Sequence, residues 1–203
     1  MKLLVATRNK HKLREIGEIF RVPGLELVSA LDYPDIPDVV EDGATFEANA
    51  LKKAVTLARA TGLWTLADDS GLEVDALGGE PGVYSARYAG EPANYPANNA
   101  KLLAKLRGTE NRRARFRCAI AFSDPGGHAH TVEGRCEGVI AEAPRGDKGF
   151  GYDPLFVPDG HDQTFAEMES GLKNSISHRG RALDLARSTW GECLLRLVEH
   201  RQS

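Results

Sequence analysis

The first segment of the sequence with residue types suited to chemistry lies between the apolar run Leu3 to Ala6 and a helical pattern that begins at Lys10. Its residues are Thr7, Arg8, Asn9, Lys10, His11 and Lys12. A helix start presents unpaired backbone N–H groups and the positive end of the helix dipole, and both attract phosphate. We interpret the segment as a phosphate cradle, although it lacks the glycines of a P-loop. The alternative is a solvated basic helix start that Asn9 caps.

A pair of carboxylates forms the second segment, Asp68-Asp69-Ser70-Gly71, which directly follows the apolar run Leu63 to Ala67. Carboxylates at a strand end can hold Mg²⁺ or accept a proton from water. Successive strand residues point to opposite faces, so we expect Asp69 to face the ligand and Asp68 to cap the next turn. A tight turn without chemistry is the alternative. Further carboxylates precede or begin the second helix and are expected to be solvated when taken singly: Glu41, Asp42 and Glu47.

Two later segments could bind a planar ligand. The segment Gly149-Phe150-Gly151-Tyr152-Asp153-Pro154 places two aromatic residues among glycines, so a ring face could lie against a base. The segment from Lys173 to Arg179 is polar and basic, and His178 and Arg179 can donate to carbonyl oxygens. Core closure and a capped helix start are the respective alternatives. Together, the four segments predict a nucleotide hydrolase.

The elements that must position these residues are those of an α/β fold. Apolar spacing predicts helices over Lys10 to Phe20, about Thr45 to Ala60, and Arg181 to His200. Buried strands are expected at Leu3 to Ala6 and Leu63 to Ala67. An alternating strand around Phe116 to Phe122 should pair with His130 to Ile140 as a hairpin, so the twisted central sheet is mixed and flanked by helices.

Composition restricts the class of protein. The 203 residues are sufficient for a single domain, 1–203, and the net charge of −3 argues against a general nucleic-acid or membrane-surface binder. No apolar run approaches a membrane span, and the N-terminus becomes charged too soon for a signal peptide, so we expect a cytoplasmic protein. The cysteines, Cys118, Cys136 and Cys193, are expected to be reduced packing residues.

Six motifs in this order resemble the inosine triphosphate pyrophosphatase family, and within it the bacterial enzymes that act on dITP and XTP. The motifs are ATRNKHK (6–12), EDGATFEANALKKA (41–54), ADDSGLEVDALGGEPGVYSARYAG (67–90), GFGYDP (149–154), TFAEM (164–168) and KNSISHRG (173–180). The resemblance implies two lobes with an active-site cleft between them, a homodimer, and hydrolysis of dITP, ITP or XTP to the monophosphate and pyrophosphate.

The resemblance also implies residue roles. Asp69 matches the general base and, with Glu41, the Mg²⁺ ligand. Thr7, Asn9 and Lys12 match residues that hold the triphosphate, with Arg8, Lys10 and His11 contributing backbone. The remaining expected substrate contacts are Ser70, Phe150, Gly151, Tyr152, Asp153, Lys173, His178 and Arg179.

The pKa of an ordinary aspartate is about 3.9, so Asp69 is expected to be ionised at neutral pH. His178 and Arg179 are expected to select the 6-oxo group of the purine and to reject the amino group of adenine. Two alternatives stay open from the sequence: a nucleotide- or RNA-binding module without catalysis, and a pyrophosphatase for modified pyrimidines.

Overall fold

The computed structural model describes residues 1–199, in which six strands and five α-helices are connected by short turns and 3-10 segments. The strands are β1 (Lys2–Val5), β2 (Glu26–Ser29), β3 (Trp64–Val74), β4 (Arg113–Ser123), β5 (Ala129–Ile140) and β6 (Phe156–Pro158). The helices are α1 (Lys10–Ile19), α2 (Phe46–Thr61), α3 (Tyr95–Lys105), α4 (Ser170–Ile176) and α5 (His178–Glu199).

The strands form one sheet in the order β2-β1-β3-β4-β5-β6. Strand β1 pairs in parallel with both β2 and β3, whereas β5 and β6 are antiparallel. The predicted mixed α/β sheet is therefore confirmed. The turn that joins β4 to β5 is closed by the Asp124 and Gly127 amides, which donate to the carbonyls of His128 and Asp124, respectively.

The chain divides into two compact units, and each has its own apolar core. Among the described residues, unit 1 comprises 1–69, 118–134 and 180–199. Its core is built from strands β1, β3 and β4 and from helices α1 and α5: Leu3, Val5, Ile16, Phe20, Leu66, Cys118, Ile120, Phe122, Ala182, Leu183, Ala186, Trp190 and Leu194. These side chains are buried because the apolar stripe of each helix packs against the apolar faces of the strands.

Unit 2 comprises Ser70–Arg117 and Arg135–Arg179. Its core includes several aromatic rings, and Phe116 packs edge-on against Phe156 with their ring centroids 4.8 Å apart. The single domain expected from chain length, and the cleft between two lobes, stay predictions.

Two of the predicted helices are confirmed with their caps. Helix α1 begins after Asn9, and the spacing of Leu13, Ile16 and Phe20 places Ile16 and Phe20 in the core. Helix α2 follows Thr45, whose hydroxyl accepts from the amide of Ala48, and it ends at Gly62. Gly62 has φ +68°, a left-handed conformation that glycine adopts without steric cost.

Three expectations were wrong. Strand β3 does not end at Ala67 but continues to Val74, because β4 pairs with it after its parallel partner β1 has ended at Val5. The last helix begins at His178 rather than Arg181, and Lys173 lies on the separate helix α4; the predicted end at His200 lies outside the described residues. Cys193 is exposed, whereas Cys118 and Cys136 are buried as expected, and all three are free thiols.

Within residues 1–199, no helix combines the length and the apolar character that a bilayer crossing requires.

Candidate active site

Asp69 lies within strand β3 and belongs to a carboxylate cluster of unit 1 that we define as Glu41, Asp68 and Asp69. Only 6% of Asp69 is exposed. Its Oδ2 accepts a hydrogen bond of 3.0 Å from the side-chain amide of Asn49, and its Oδ1 lies 3.7 Å from the ammonium of Lys53. Asp69 is thus held in one orientation by two residues of α2.

Lys53 is the cation at the centre of this cluster. Its Nζ lies 2.5 Å from Oε1 of Glu41 and donates to the carbonyl of Asp68, also at 2.5 Å. Helix α2 buries this side chain along the same face as Asn49, one turn apart. The carboxylates of Glu41 and Asp69 therefore both face the ammonium of Lys53.

The environment of Asp69 raises the pKa of its carboxyl above the ordinary value. Burial is the main cause, because it disfavours the charged form, and the nearby carboxylate of Glu41 acts in the same direction. Lys53, Lys12 and the amide of Asn49 oppose the shift. The expectation of an ordinary aspartate is corrected: Asp69 binds a proton more tightly than a solvated carboxylate does.

Asp68 has a different role from the cap that we expected. Its carboxylate is 1% exposed, and its Oδ1 lies 3.0 Å from Nζ of Lys12. Its Oδ2 accepts from the thiol of Cys118 on β4 at 3.7 Å. The prediction of a turn cap was wrong because β3 continues past this position, and Asp68 instead orients Lys12.

In the N-terminal segment, Asn9 caps helix α1, as the alternative interpretation expected, and the phosphate cradle stays a prediction. Oδ1 of Asn9 accepts from the amides of His11 and Lys12, at 2.9 and 3.3 Å, and the amide of Asn9 donates to the hydroxyl of Thr7 at 3.1 Å. Arg8 forms an ion pair with Asp38 on the surface. Lys10 and His11 are exposed. A phosphate at this helix start would thus compete with Asn9 for two amides.

The donor set fits a hard divalent cation only in part. Within residues 1–199, no three side chains of His, Cys, Asp or Glu are placed so that together they could hold a metal ion. Mg²⁺, however, is commonly bound by one or two carboxylates together with substrate phosphates and water, and Glu41 and Asp69 supply two. The other expected carboxylates face elsewhere: Asp42 pairs with Lys52, and Glu47 accepts from the hydroxyl of Thr131.

Unit 2 contains the second cluster, built on residues 149–153, which we call the aromatic loop. Asp153 is 3% exposed, and its Oδ2 accepts from the amide of Phe150 at 2.8 Å and from Nζ of Lys173 at 2.7 Å. Gly149 has φ +75°, and a Cβ there would lie 2.1 Å from Oδ2 of Asp153. The loop therefore requires glycine at 149 and is held closed by a buried ion pair.

Two cations lie beside the ring of Phe150. Nζ of Lys173 is 5.3 Å from the ring centroid and Cζ of Arg179 is 5.7 Å away. Arg179 is 2% exposed and donates to the hydroxyl of Ser70 at 2.8 Å. Phe150, Lys173, Arg179 and Ser70 thus lie together within unit 2. Their role as substrate contacts stays a prediction.

Tyr152 and His178 are buried to the same degree as Arg179, and their role as substrate contacts stays a prediction. Tyr152 is 3% exposed and its hydroxyl donates to the carbonyl of Ser85 at 2.9 Å. The ring of His178 stacks on Phe116, with centroids 4.6 Å apart and an interplanar angle of 11°. Both rings pack in the core of unit 2, and Tyr152 thereby anchors the aromatic loop to this core.

Asn49 and Lys53 were not among the site residues predicted from the sequence, although both contact Asp69. The available signal was that two polar residues occupy the otherwise apolar face of α2, four positions apart. A buried lysine needs a partner, and the acidic segments on either side in the sequence offered one.

The α/β fold, the carboxylate cluster and the aromatic loop are the features from which the sequence predicted a nucleotide hydrolase. A family model described as the Ham1 family matches residues 3–189, and the chain belongs to this family. It is 54% identical to a dITP/XTP pyrophosphatase of Desulforamulus reducens over 204 aligned residues, which cover 100% of both chains.

Two further comparisons agree. A dITP/XTP pyrophosphatase of Geobacter sulfurreducens is 56% identical over 192 residues, covering 94% of this chain and 96% of the relative. The solved structure of a HAM1 protein from Coxiella burnetii superimposes with a TM-score of 0.86 at 39% identity, covering 95% of this chain and 99% of that one. The α/β fold with a mixed sheet that we expected is therefore confirmed.

Proposed function

We propose that this chain hydrolyses non-standard purine nucleoside triphosphates, namely dITP, ITP and XTP, to the monophosphate and pyrophosphate, and so removes them from the pool of nucleic-acid precursors. The family membership and the names of the curated relatives support the substrate class. The observation that carries the chemistry is the buried Asp69 carboxylate, fixed by Asn49 and adjacent to Lys53.

In the proposed reaction, a water oxygen attacks the α-phosphorus, the bond to the oxygen that bridges the α- and β-phosphates breaks, and pyrophosphate leaves. Asp69 accepts the proton of the water, and the hydrogen bond from Asn49 fixes the orientation of its carboxylate. Lys12, aligned by Asp68, and the helix start at α1 offset charge on the leaving group.

We assign Mg²⁺ to Glu41 and Asp69, where it would neutralise phosphate oxygens. The ammonium of Lys53 contacts both carboxylates. A bound Mg²⁺ would therefore either share the two carboxylates with Lys53 or displace its ammonium from one of them. Activity in Mg²⁺ that disappears in EDTA, with an unchanged circular dichroism spectrum, is the expected result.

The purine base of the substrate is assigned to the aromatic loop of unit 2. There the ring of Phe150 offers a face on which the purine can stack, and Arg179 offers a hydrogen-bond donor for its 6-oxo group. Adenine carries an amino donor at that position, so it would face a second donor and bind less well. We further propose a homodimer that acts in the cytoplasm, and sedimentation velocity tests the oligomeric state.

The decisive experiment measures pyrophosphate release from dITP, ITP, XTP, dGTP, dATP and dUTP, with and without Mg²⁺. Asp69→Asn should lower kcat by about 10²- to 10⁴-fold, the usual contribution of a general base. Asp159→Asn, which removes an exposed carboxylate paired with Arg113, is the matched control and should retain activity. Tight nucleotide binding by the wild type without product would instead indicate a binding module, and preferred turnover of dUTP would indicate a pyrimidine enzyme.

A further inference from the structure

Helix α3 places two side chains that have no assigned role against the aromatic loop. Tyr95 and Asn99 are four residues apart, so they lie on one face of the helix. We call this pair the α3 face. Asn94 caps the helix by accepting from the amide of Ala97, and this cap sets where the face begins.

Both members of the α3 face contact the aromatic loop. The side-chain amide of Asn99 donates to the carbonyl of Gly151 at 3.0 Å. The rings of Tyr95 and Phe150 lie with centroids 6.1 Å apart and an interplanar angle of 47°, within the range of a favourable aromatic pair. Oδ1 of Asn99 is buried without a hydrogen-bond partner in the described chain, so the bond to Gly151 decides the orientation of this amide.

Hydrogen bonds between Phe150 and Asp153 close the loop, and a contact at Gly151 acts in addition to them. Gly151 has φ +64°, and a Cβ at this position would meet nothing within 4 Å. Glycine populates both signs of φ readily, so the conformation at 151 must be selected by contacts from outside the residue. The hydrogen bond from Asn99 is such a contact, and it acts next to Phe150.

Helix α3 itself is firmly anchored within unit 2. Asn98, 1% exposed, accepts from the amide of Ala89 and donates to the carbonyls of Ser85 and Ala86. The carbonyl of Ser85 also accepts from the hydroxyl of Tyr152 in the loop. The helix and the loop are thus tied to the same backbone atom, which makes α3 a fixed reference for the loop.

We propose that Tyr95 and Asn99 are positioning residues that set the ring plane of Phe150, and thereby the affinity for the purine, while contributing nothing to the phosphate side. This inference rests on the proposed function, because it assumes that Phe150 stacks on the base. It extends the site to a helix that none of the sequence motifs described above includes.

The test compares Asn99→Ala and Tyr95→Ala with the wild type, using two probes that separate the parts of the substrate. Deoxyinosine monophosphate carries the base, and tripolyphosphate lacks it; each is measured as a competitive inhibitor of dITP hydrolysis. Asn111→Ala is the matched control, because Asn111 is an exposed residue of unit 2 just before β4, and its Oδ1 accepts a hydrogen bond from the amide of Arg113. Tyr95→Phe retains the ring and should restore wild-type behaviour.

We expect each alanine variant of the α3 face to raise KM for dITP and the inhibition constant of deoxyinosine monophosphate by about 3- to 10-fold, the range of one neutral hydrogen bond or ring contact. The inhibition constant of tripolyphosphate and kcat should change less than twofold. Equal weakening of both probes would overturn the inference, since it indicates a general loss of structure, and so would unchanged values for both.

The proposed function fails separately. If the wild type releases no pyrophosphate from dITP, the function is refuted and the inference falls with it. If the wild type is active and the α3 variants match it, only the inference is refuted. Should Tyr95→Ala not fold, Asn99→Ala and Tyr95→Leu carry the same test, because Leu fills space without an aromatic face.

Discussion

Replacing Lys53 with methionine tests whether the carboxylate cluster depends on one buried cation. The substitution keeps the unbranched stem and removes the ammonium. Glu41 and Asp69 then lose their shared partner, and the carbonyl of Asp68 loses its donor. The side chain of Lys53 is 10% exposed and that of Asp69 8%, so water replaces the lost contacts poorly.

The magnitude follows from this burial. Removing one partner of a buried ion pair typically costs about 3–5 kcal/mol, because an uncompensated charge is left behind. For a chain of this size, 1 kcal/mol corresponds to about 2–4 °C in melting temperature, so the variant should melt roughly 6–20 °C lower. The adjacent Lys52 is the matched control: its pair with Asp42 has side chains 42% and 66% exposed, and such pairs contribute about 0–1 kcal/mol.

The assay is thermal and urea denaturation of the wild type, Lys53→Met and Lys52→Met, all in EDTA so that no metal ion replaces the ammonium. A loss at Lys53 several times that at Lys52 is expected. Equal losses at the two positions would refute the reasoning, because they would mean that the buried carboxylates do not depend on this cation. Adding Mg²⁺ should then raise the melting temperature of Lys53→Met more than that of the wild type.

Three other variants test the site. Burial raises the pKa of Asp69, so the metal-free folded protein binds a proton there more tightly than the unfolded chain does. The free energy of unfolding should therefore fall as the pH rises from the ordinary aspartate pKa through the raised pKa. Asp69→Asn should remove this dependence from urea denaturation measured at a series of pH values. Phe150→Ala should raise KM for dITP more than it lowers kcat, and steady-state kinetics would contradict this if kcat alone fell. Tyr152→Phe removes the donor to the carbonyl of Ser85 and should lower the free energy of unfolding by about 1 kcal/mol; an unchanged urea midpoint would argue against that bond.

Sequence periodicity predicted the local elements well where local rules act. The start of α1 at Lys10 and the end of α2 at Gly62 follow from a capping asparagine and a left-handed glycine, both of which operate within a few residues. The length of β3 could not be predicted in the same way. Its strand partner β4 lies some fifty residues later in the chain, and this pairing keeps Asp68 and Asp69 in the sheet.

The sequence by itself determined which residue types were available: the carboxylates at 68 and 69, the basic helix start, the aromatic loop, and the motifs that imply the family. Only the tertiary structure decided their partners. Lys53 meets Glu41 and Asp69, Asp68 meets Lys12 and Cys118, and Asn99 meets Gly151 across separations that no periodicity spans. The physical reason is that a hydrogen bond or ion pair depends on the final position of two side chains, and packing of the two cores sets those positions.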